Sequence, residues 1–372
     1  MRLVRLPTAA RAAASFVALS AAVITGRPST ARADDLPSVD VGFYLQPQIK
    51  VRQNSDVPDD EDGFAVRRFR LLVSSGRNVG CWRVDARSEI EAYPTFSPQD
   101  AYLVLAGPIP GGKLTFQLGQ FKTPFSRQVL VSDSRLQFVD KAQVTSLAPE
   151  RQVGVAATAK LPMSEVSFGV FNGDGKNVAD AQDENYMYVG RVTLRPFGQD
   201  ATLMETAFQG LQLEVSGSLA YNKRDRGDSD QTAKYYGIDG FAAYEGASLA
   251  AEYLEVRNTF STGAPDKPFK GNGFYVQGGY LLPIPGWAWR RFELSARLEE
   301  VDRNDTVAIP QVGHPDQSLR YYTLGASYYH ARHDLKVQLQ ASHIREIEDL
   351  TSNGVDAKFA NDTVILQVTY RQ

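Results

Sequence analysis

Apolar and polar residues alternate along most of this chain with the period of two that is typical of a strand with one apolar and one polar face. Between positions 39 and 52 the odd positions are mostly apolar, from Val39 to Val51, and the even positions are mostly polar, from Asp40 to Arg52. The same pattern recurs down the chain and predicts sixteen strands. Their predicted ranges are 39–52, 64–75, 81–92, 99–106, 113–121, 151–161, 164–171, 185–196, 211–222, 234–245, 247–257, 272–283, 290–301, 319–330, 333–345 and 362–370.

The connections between the predicted strands also follow a pattern. After odd-numbered strands they are mostly long and polar, as at 122–150 and 302–318, and after even-numbered strands they are mostly short, as at 162–163. Two connections depart from this rule, because 93–98 is short for its position and 197–210 is long. The longer one contains apolar residues at helical spacing, which predicts a small helix there: Leu203, Met204, Ala207 and Phe208.

These features favour an all-β fold, a 16-stranded antiparallel transmembrane β-barrel. Outer-membrane barrels have an even number of strands, short turns on one side and long loops on the other. The predicted inner face stays charged from strand to strand, and aromatic residues lie at strand ends, where membrane interfaces would be. A soluble two-sheet sandwich also shows alternation and is the alternative fold. The candidate interfacial aromatic residues are Tyr221, Tyr244, Tyr253, Tyr280, Trp287, Trp289 and Tyr370.

The first 33 residues predict a secretory signal peptide. A basic start containing Arg2 and Arg5 precedes an apolar run at 12–24, and a small-x-small cleavage pattern ends at Ala33. The apolar run is shorter than the ~20 residues that a membrane-spanning helix needs. We therefore predict that 1–33 are removed and that 34–372 form a single barrel domain, because an exported chain without a spanning helix enters a membrane only as a closed barrel.

Composition narrows the possible chemistry. The leader holds five Arg and no acidic residue, which leaves 35 basic and 43 acidic residues in the mature chain, so a nucleic-acid partner is not expected. Cys81 is the single cysteine, which excludes an intramolecular disulfide. The sequence shows no nucleophile elbow, HExxH helix or CxxC pair, and His330 and His333 flank a predicted tight turn. We expect no enzyme activity, no catalytic residues, no metal site and no cofactor.

The segment from Lys113 to Val155 differs from the rest of the chain. Strand alternation stops at Phe121 and returns only at Gln152, and so long a stretch without a regular pattern is more often functional than neutral. Three blocks stand out there, and a fourth follows: GQFKTPFSRQ at 119–128, SRLQFVDK at 134–141, APERQVGV at 148–155 and FGVFNGDG at 168–175. These blocks resemble the phosphate-selective porin O and P family.

The resemblance implies that 122–150 is the third external loop, folded into the barrel so that it narrows the channel. It also implies an outer-membrane porin of a Gram-negative bacterium, assembled as a homotrimer. Two features depart from the family pattern. The chain has no dense lysine cluster, and its last aromatic residue, Tyr370, is followed by Arg371 and Gln372.

Inward cations are the candidate functional residues. Rings of Arg and Lys make pores favour anions, and a guanidinium group donates two parallel hydrogen bonds to phosphate. Alternation directs these cations to the lumen: Lys50, Arg52, Arg68, Arg70, Arg83, Arg87, Lys113, Lys160, Arg191, Arg195, Arg297 and Lys336. The run RRFR at 67–70 resembles the arginine pair of the family's second strand. With the third loop included, the candidate pore-lining residues of an anion path are Arg67, Arg68, Arg70, Arg83, Lys122, Arg127, Arg135, Arg151 and Arg191.

Carboxylates share the predicted lumen, so its charge is mixed. The inward acidic residues are Asp40, Asp85, Glu89, Glu91, Asp100, Glu214, Asp239, Glu252, Glu293 and Glu299. The expected function is passive diffusion of small hydrophilic solutes with a leaning toward anions such as phosphate, and general diffusion is favoured over phosphate specificity. The alternatives are a non-conducting outer-membrane barrel that acts as a binding or structural protein, and a secreted soluble β-protein or enzyme.

Overall fold

A computed structural model of the chain describes residues 38–53, 62–178, 183–198, 203–208, 210–225, 230–261, 268–284, 291–305, 318–347, 351–352, 355–356 and 362–372. The predicted signal peptide and the aromatic residues Trp287 and Trp289 lie outside these ranges. Within the described residues no helix has both the length and the apolar character needed to cross a membrane.

Sixteen strands of the described chain form one closed antiparallel barrel, in which each strand pairs with its neighbours along the sequence and the last pairs with the first. The wall strands are β1 (Ser38–Arg52), β2 (Gly63–Val79), β3 (Trp82–Tyr93), β4 (Ser97–Ile109), β5 (Gly112–Lys122), β6 (Arg151–Lys160), β7 (Ser164–Phe171), β8 (Met187–Leu194), β9 (Gln212–Asp225), β10 (Asp230–Tyr244), β11 (Ala247–Phe260), β12 (Phe269–Leu281), β13 (Phe292–Asp302), β14 (Leu319–Ala331), β15 (Leu335–Glu346) and β18 (Thr363–Arg371). Two short strands, β16 (Thr351–Ser352) and β17 (Val355–Asp356), pair as a separate hairpin.

The two faces of each strand meet different surroundings. On β13, Glu293 is 1% exposed and points into the barrel, whereas Leu294 is 56% exposed and points outward. An outward apolar band buries itself in hydrocarbon through the hydrophobic effect, and closure of the sheet leaves no unpaired edge in the membrane. The alternation of the sequence therefore determines the wall, and the expected 16-stranded barrel is confirmed.

Most predicted strand ends lie within about four residues of the observed ends. The pairing of β1 with β18 includes Leu45 and Gln48 but not Gln46 or Pro47, which fits a proline that lacks a backbone donor. The described interfacial tyrosines are exposed, as expected: Tyr221, Tyr244, Tyr253, Tyr280 and Tyr370.

Two connections enter the barrel. Loop L3 (residues 123–150) joins β5 to β6 and contains a short helix, α1 (Arg127–Leu130), and two single turns of 3-10 helix (Asp133–Arg135 and Gln143–Leu147). Segment T4 (residues 203–208) belongs to the long link between β8 and β9, at the opposite end of the barrel. The helix expected around Leu203 and Phe208 is wrong for the described part of this link, because 203–208 are irregular.

Candidate functional site

Loop L3 lies across the lumen against the inner wall of β11 to β13. The side-chain amide of Gln137 donates to Glu293 Oε1 at 2.7 Å and to Ser248 Oγ at 3.0 Å. Farther along L3, the backbone N–H of Gln143 donates to Glu299 Oε2 at 2.5 Å. Apolar side chains of L3 such as Phe125, Val129 and Val144 are at most 1% exposed. The loop is therefore part of the folded core.

Segment T4 reaches L3 from the other end of the barrel. Glu205 accepts hydrogen bonds from the side chain of Gln128 and from the backbone N–H of Gln137, each at 2.8 Å. The carbonyl oxygen of Met204 accepts a hydrogen bond from Arg127 at 2.9 Å. Glu205 is 1% exposed. The unusual length of the link is one signal of this contact in the sequence, but no pattern of residues assigns T4 to the lumen.

The arginine run of the second strand holds the opposite side of L3. Arg70 Nη1 lies 2.9 Å from Asp133 Oδ2, and Arg68 Nε lies 3.4 Å from the same oxygen. Arg67 Nη2 lies 2.8 Å from Asp140 Oδ1. All three predicted site residues thus meet at L3, where each faces a carboxylate of the loop.

Arg70 is the centre of a larger ionic cluster. Its guanidinium group lies 2.5 Å from Glu89 Oε1 and 2.5 Å from Glu91 Oε2, both on β3. Beside it, Arg151 Nε lies 2.8 Å from Asp100 Oδ1. Because carboxylates surround Arg70 and Arg151, these two predicted site residues present little free positive charge to a solute.

Asp133 is the L3 carboxylate at which several positive charges meet. Burial by itself raises the pKa of a carboxyl group, but the charges of Lys141, Arg68 and Arg70 outweigh it and hold the pKa of Asp133 well below its usual range. The unfolded chain binds a proton at a higher pH than the folded chain does. The stability that Asp133 contributes is therefore present above pH ~4 and is lost as the pH falls further.

Replacing Asp133 by Asn should lower the free energy of unfolding at pH 7, because the cations around it lose their partner. The difference between wild type and Asp133→Asn should shrink as the pH falls below ~4, where the Asp133 carboxylate of the unfolded chain takes up a proton before that of the folded chain does. Denaturant unfolding of the detergent-purified proteins at pH 7, 5 and 3 measures both effects. A difference that stays constant over this range would contradict the assigned role of Asp133.

Arg127 and Arg191 are enclosed more completely. Arg127 is 1% exposed, its guanidinium carbon lies 4.1 Å from the ring centre of Phe241, and its Nε lies 3.4 Å from Glu214 Oε1. Arg191 donates two parallel hydrogen bonds to Asp239 at 2.6 and 2.8 Å. Both arginines tie L3 to the wall, since Arg191 also donates to the carbonyl oxygen of an L3 residue, Phe125.

Three other predicted residues lie nearer to open space. Lys122 lines a cavity and donates to a backbone carbonyl of L3 at 2.9 Å. Arg83 is about half exposed, with Nε 2.9 Å from Asp85 Oδ1. Arg135 is half buried at the tip of L3, where burial and the neighbouring positive charge of Arg371 lower its pKa. Together with Arg67, whose side chain is 43% exposed, these three have better access to solutes than the other predicted cations.

Gly119 explains how Lys122 comes to face the lumen. Its φ of +129° is a conformation that favours glycine, and a Cβ there would lie 2.3 Å from the carbonyl oxygen of Ala101. After this residue the alternation of β5 fails, so that both Gln120 and Phe121 are buried. The pairing of β5 with β6 continues unbroken to Lys122, after which L3 begins.

Open space in the barrel lies along β3 to β8. A cavity of about 780 Å³ occupies this side, and a second one of about 490 Å³ adjoins it at Arg87 and Tyr102. The charged residues lining the larger cavity within the described chain are six cations and two carboxylates: Arg87, Lys113, Lys122, Lys160, Arg191, Arg195, Asp85 and Glu165. Asp40, Glu89 and Asp100 line the smaller cavity together with Arg87 and Arg371.

Many inward carboxylates are hidden from this space. L3 and T4 pack against β9 to β13, and the five inward carboxylates of those strands are at most 4% exposed. They are Glu214, Asp239, Glu252, Glu293 and Glu299. The mixed lumen that alternation predicts is therefore divided in space, with much of its negative charge behind L3 and a positively charged cavity in front.

A sequence model of one protein family spans this whole arrangement. The model describes phosphate-selective porin O and P and matches residues 41–371, from β1 to β18. The chain belongs to the phosphate-selective porin O and P family. This membership confirms the resemblance drawn from the blocks at 119–128, 134–141 and 148–155. As a porin of this family, the protein forms a channel for small solutes in the outer membrane of a Gram-negative bacterium.

Solved outer-membrane proteins share the fold of this porin. The anion-selective porin from Comamonas acidovorans has a TM-score of 0.65 at 13% identity, with 91% of this chain and 100% of that chain covered. OmpT of Vibrio cholerae, solved in a trimer form, has a TM-score of 0.60 at 16% identity, with coverage of 91% and 100%. A relative known from its sequence, an uncharacterized protein of Aquifex aeolicus, is 24% identical over 319 residues, which span 72% of this chain and 74% of that protein.

Proposed function

We propose that this porin conducts small hydrophilic solutes by passive diffusion and favours anions such as phosphate. The observation that carries this proposal is the cavity along β3 to β8, where six cations outnumber two carboxylates among the described lining residues. Where a pore is narrow, little water separates a solute from the wall charges, so each charge acts strongly. Excess Lys and Arg at such a place lower the barrier for anions.

The nine predicted site residues divide into two proposed roles. Lys122, Arg83 and Arg135 contact the solute path, and Arg191 contributes positive charge to its wall. Arg67, Arg68, Arg70 and Arg127 act as positioning residues that hold L3 against the wall, and Arg151 supports Arg70 through their shared partner Glu89. Guanidinium groups suit this second role as well as anion binding, because their fork bonds carboxylates with two parallel hydrogen bonds.

Three inward cations that are not among the nine candidate pore-lining residues also belong to the proposed path. Lys113 and Lys160 lie directly opposite each other on β5 and β6, and both line the larger cavity. Arg87 lies between the two cavities. Like charges that face each other across a strand pair are destabilising. Glu165 on β7 lies opposite Lys160 and is one carboxylate beside two lysines, so the charge of this wall favours a role in attracting anions.

We propose a homotrimer as the assembled form, which the trimer form of the similar OmpT supports.

No catalytic activity is proposed. The described residues contain no group of three or more His, Cys, Asp and Glu placed to hold a metal ion. The alternative function, a non-conducting barrel that binds a partner, predicts no stepwise current from folded protein in a planar bilayer.

The double variant Lys113→Gln/Lys160→Gln tests the proposed path. It should lower the ratio of anion to cation permeability severalfold, because two positive charges leave the cavity wall. Reversal potentials in planar bilayers under a KCl gradient measure this ratio. A matched control is Arg77→Gln/Arg291→Gln, which removes two exposed cations at the periplasmic strand ends and should leave the ratio unchanged. Equal ratios in wild type and the lysine variant would reject these lysines as part of the path.

A further inference from the structure

A row of cations crosses the outer face of three neighbouring strands. Lys234 on β10 lies directly opposite Arg257 on β11, and Arg257 lies directly opposite Lys270 on β12. Directly opposite residues of an antiparallel pair have Cβ atoms ~4.5–5.5 Å apart, and like charges in such positions are destabilising. All three residues lie near the strand ends that connect to the long external loops.

The orientation of this row follows from the exposed apolar residues on the same strand faces. Ile238 on β10 is 58% exposed, Tyr253 on β11 is 37% exposed and Val276 on β12 is 41% exposed. Each is separated from the cation of its strand by an even number of residues, so both point away from the lumen. The cations therefore lie on the lipid-facing surface, just external to the apolar band.

One carboxylate neutralises only part of the positive charge of this row. Glu255 Oε1 lies 2.6 Å from Arg257 Nε, and its Oε2 lies 3.0 Å from Lys270 Nζ. The guanidinium carbon of Arg257 lies 5.2 Å from the ring centre of Tyr236, so an aromatic face also supports it. Lys234 forms no ion pair with any described residue. The row thus retains an excess of positive charge.

A second pair of directly opposite outward cations lies near the same external rim of the barrel. Arg320 on β14 lies directly opposite Arg345 on β15, and both follow the outward alternation of Leu324 and Leu339, which are 66% and 47% exposed. Arg320 Nη2 lies 2.7 Å from Glu300 Oε2. Arg345 forms no ion pair with a residue in the described ranges.

Strands β3 to β8, on the other side of the barrel, differ in the placement of their cations. In the fully described strands β3 to β8, every Lys and Arg faces the lumen or L3, and the outward positions are apolar or small. Outward cations at the external rim of these described strands are thus concentrated on β9 to β15, and Lys223 on β9 lies 3.4 Å from Asp230 Oδ2. An even distribution would fit general solubility, whereas this concentration indicates a specific partner.

We propose that this cationic band (Lys234, Arg257, Lys270, Arg320 and Arg345) binds the phosphorylated sugar headgroup of an outer-leaflet glycolipid. The headgroup phosphates lie at the level where the apolar band of the barrel ends and the aromatic belt begins. Phosphate oxygens accept charge-assisted hydrogen bonds from Lys and Arg. Acyl chains then cover the apolar residues below the band. A bound phosphate offsets the repulsion between the directly opposite cations.

Native mass spectrometry of the detergent-purified porin, titrated with bisphosphorylated lipid A, tests this proposal. Wild type should bind the lipid and should not bind its dephosphorylated form. Arg257→Gln/Lys270→Gln should bind about 30-fold more weakly, because two cations near an anionic lipid surface contribute ~2 kcal/mol. The control Arg77→Gln/Arg291→Gln, with the same change in charge at the periplasmic end, should bind like wild type.

A second variant keeps the test independent of folding defects. Lys234→Gln/Arg345→Gln removes two band cations that have no ion pair in the described chain, so no carboxylate loses its partner. It should weaken lipid A binding by a similar factor. Equal binding by wild type and both variants, or equal binding of the dephosphorylated lipid, would overturn the proposal. Loss of subunits from the assembly instead of loss of lipid would identify the band as a protein interface and would also overturn it.

Discussion

Replacing segment T4 by a Gly-Ser segment of equal length is expected to increase the single-channel conductance severalfold and to shift the ion preference toward cations. T4 holds L3 through Glu205, which accepts hydrogen bonds from Gln128 and Gln137. Without T4, L3 loses its support from the periplasmic end, and Glu293, which is 1% exposed and accepts a hydrogen bond from Thr206 of T4, is uncovered. Carboxylate charge at the lumen surface attracts cations.

Planar-bilayer recording of conductance and reversal potential measures both effects. A matched control replaces Pro283 and Ile284, in the periplasmic link after β12 and away from the cavity along β3 to β8, by Gly and Ser, and should leave both quantities unchanged. Unaltered conductance and ion preference in the T4 variant would show that L3 stays in place without T4.

Substituting Arg70 by Met is expected to cost about 3–5 kcal/mol of unfolding free energy. The side chain is buried among Glu89, Glu91 and Asp133, and removing one partner of a buried ionic cluster leaves the other charges uncompensated. Denaturant unfolding of the purified protein at pH 7 measures this cost. The repulsion among the carboxylates falls at acidic pH, so the cost should be smaller there.

Arg83→Met provides the comparison. The Arg83 side chain is about half exposed and pairs with a single carboxylate, Asp85, so its replacement should change the unfolding free energy by less than ~1 kcal/mol. Equal costs for the two substitutions would show that Arg70 does not hold L3 in the way the geometry indicates.

The wall of this barrel could be predicted from the sequence because the residue types of each strand depend on what lies against its two faces. A residue such as Leu294 must be apolar where lipid lies, and its neighbour Glu293 must be polar where the lumen lies, so the period of two survives in the chain. The position of L3 was signalled in a different way, by the loss of that period between Phe121 and Gln152. Both signals are local, and neither depends on knowing a distant partner.

The charge balance of the lumen could not be predicted because it depends on distant partners. Alternation assigns Arg87 and Arg297 to the same inner surface, yet Arg87 lines an open cavity while Arg297 donates to the Asp140 carbonyl of L3 and is 5% exposed. T4 was missed for the same reason. Its burial rests on hydrogen bonds that Glu205 accepts from residues about 70 positions away, and such contacts leave no periodic pattern.

L3 and T4 hide the acidic wall and leave a positively charged cavity along β3 to β8, which we propose as the solute path. The most direct test is the zero-current potential of wild-type porin in a planar bilayer with KCl concentrated on one side. A potential whose sign shows that chloride crosses more readily than potassium is predicted. A potential of the opposite sign, or a potential of zero measured while the channels pass current, would contradict anion preference.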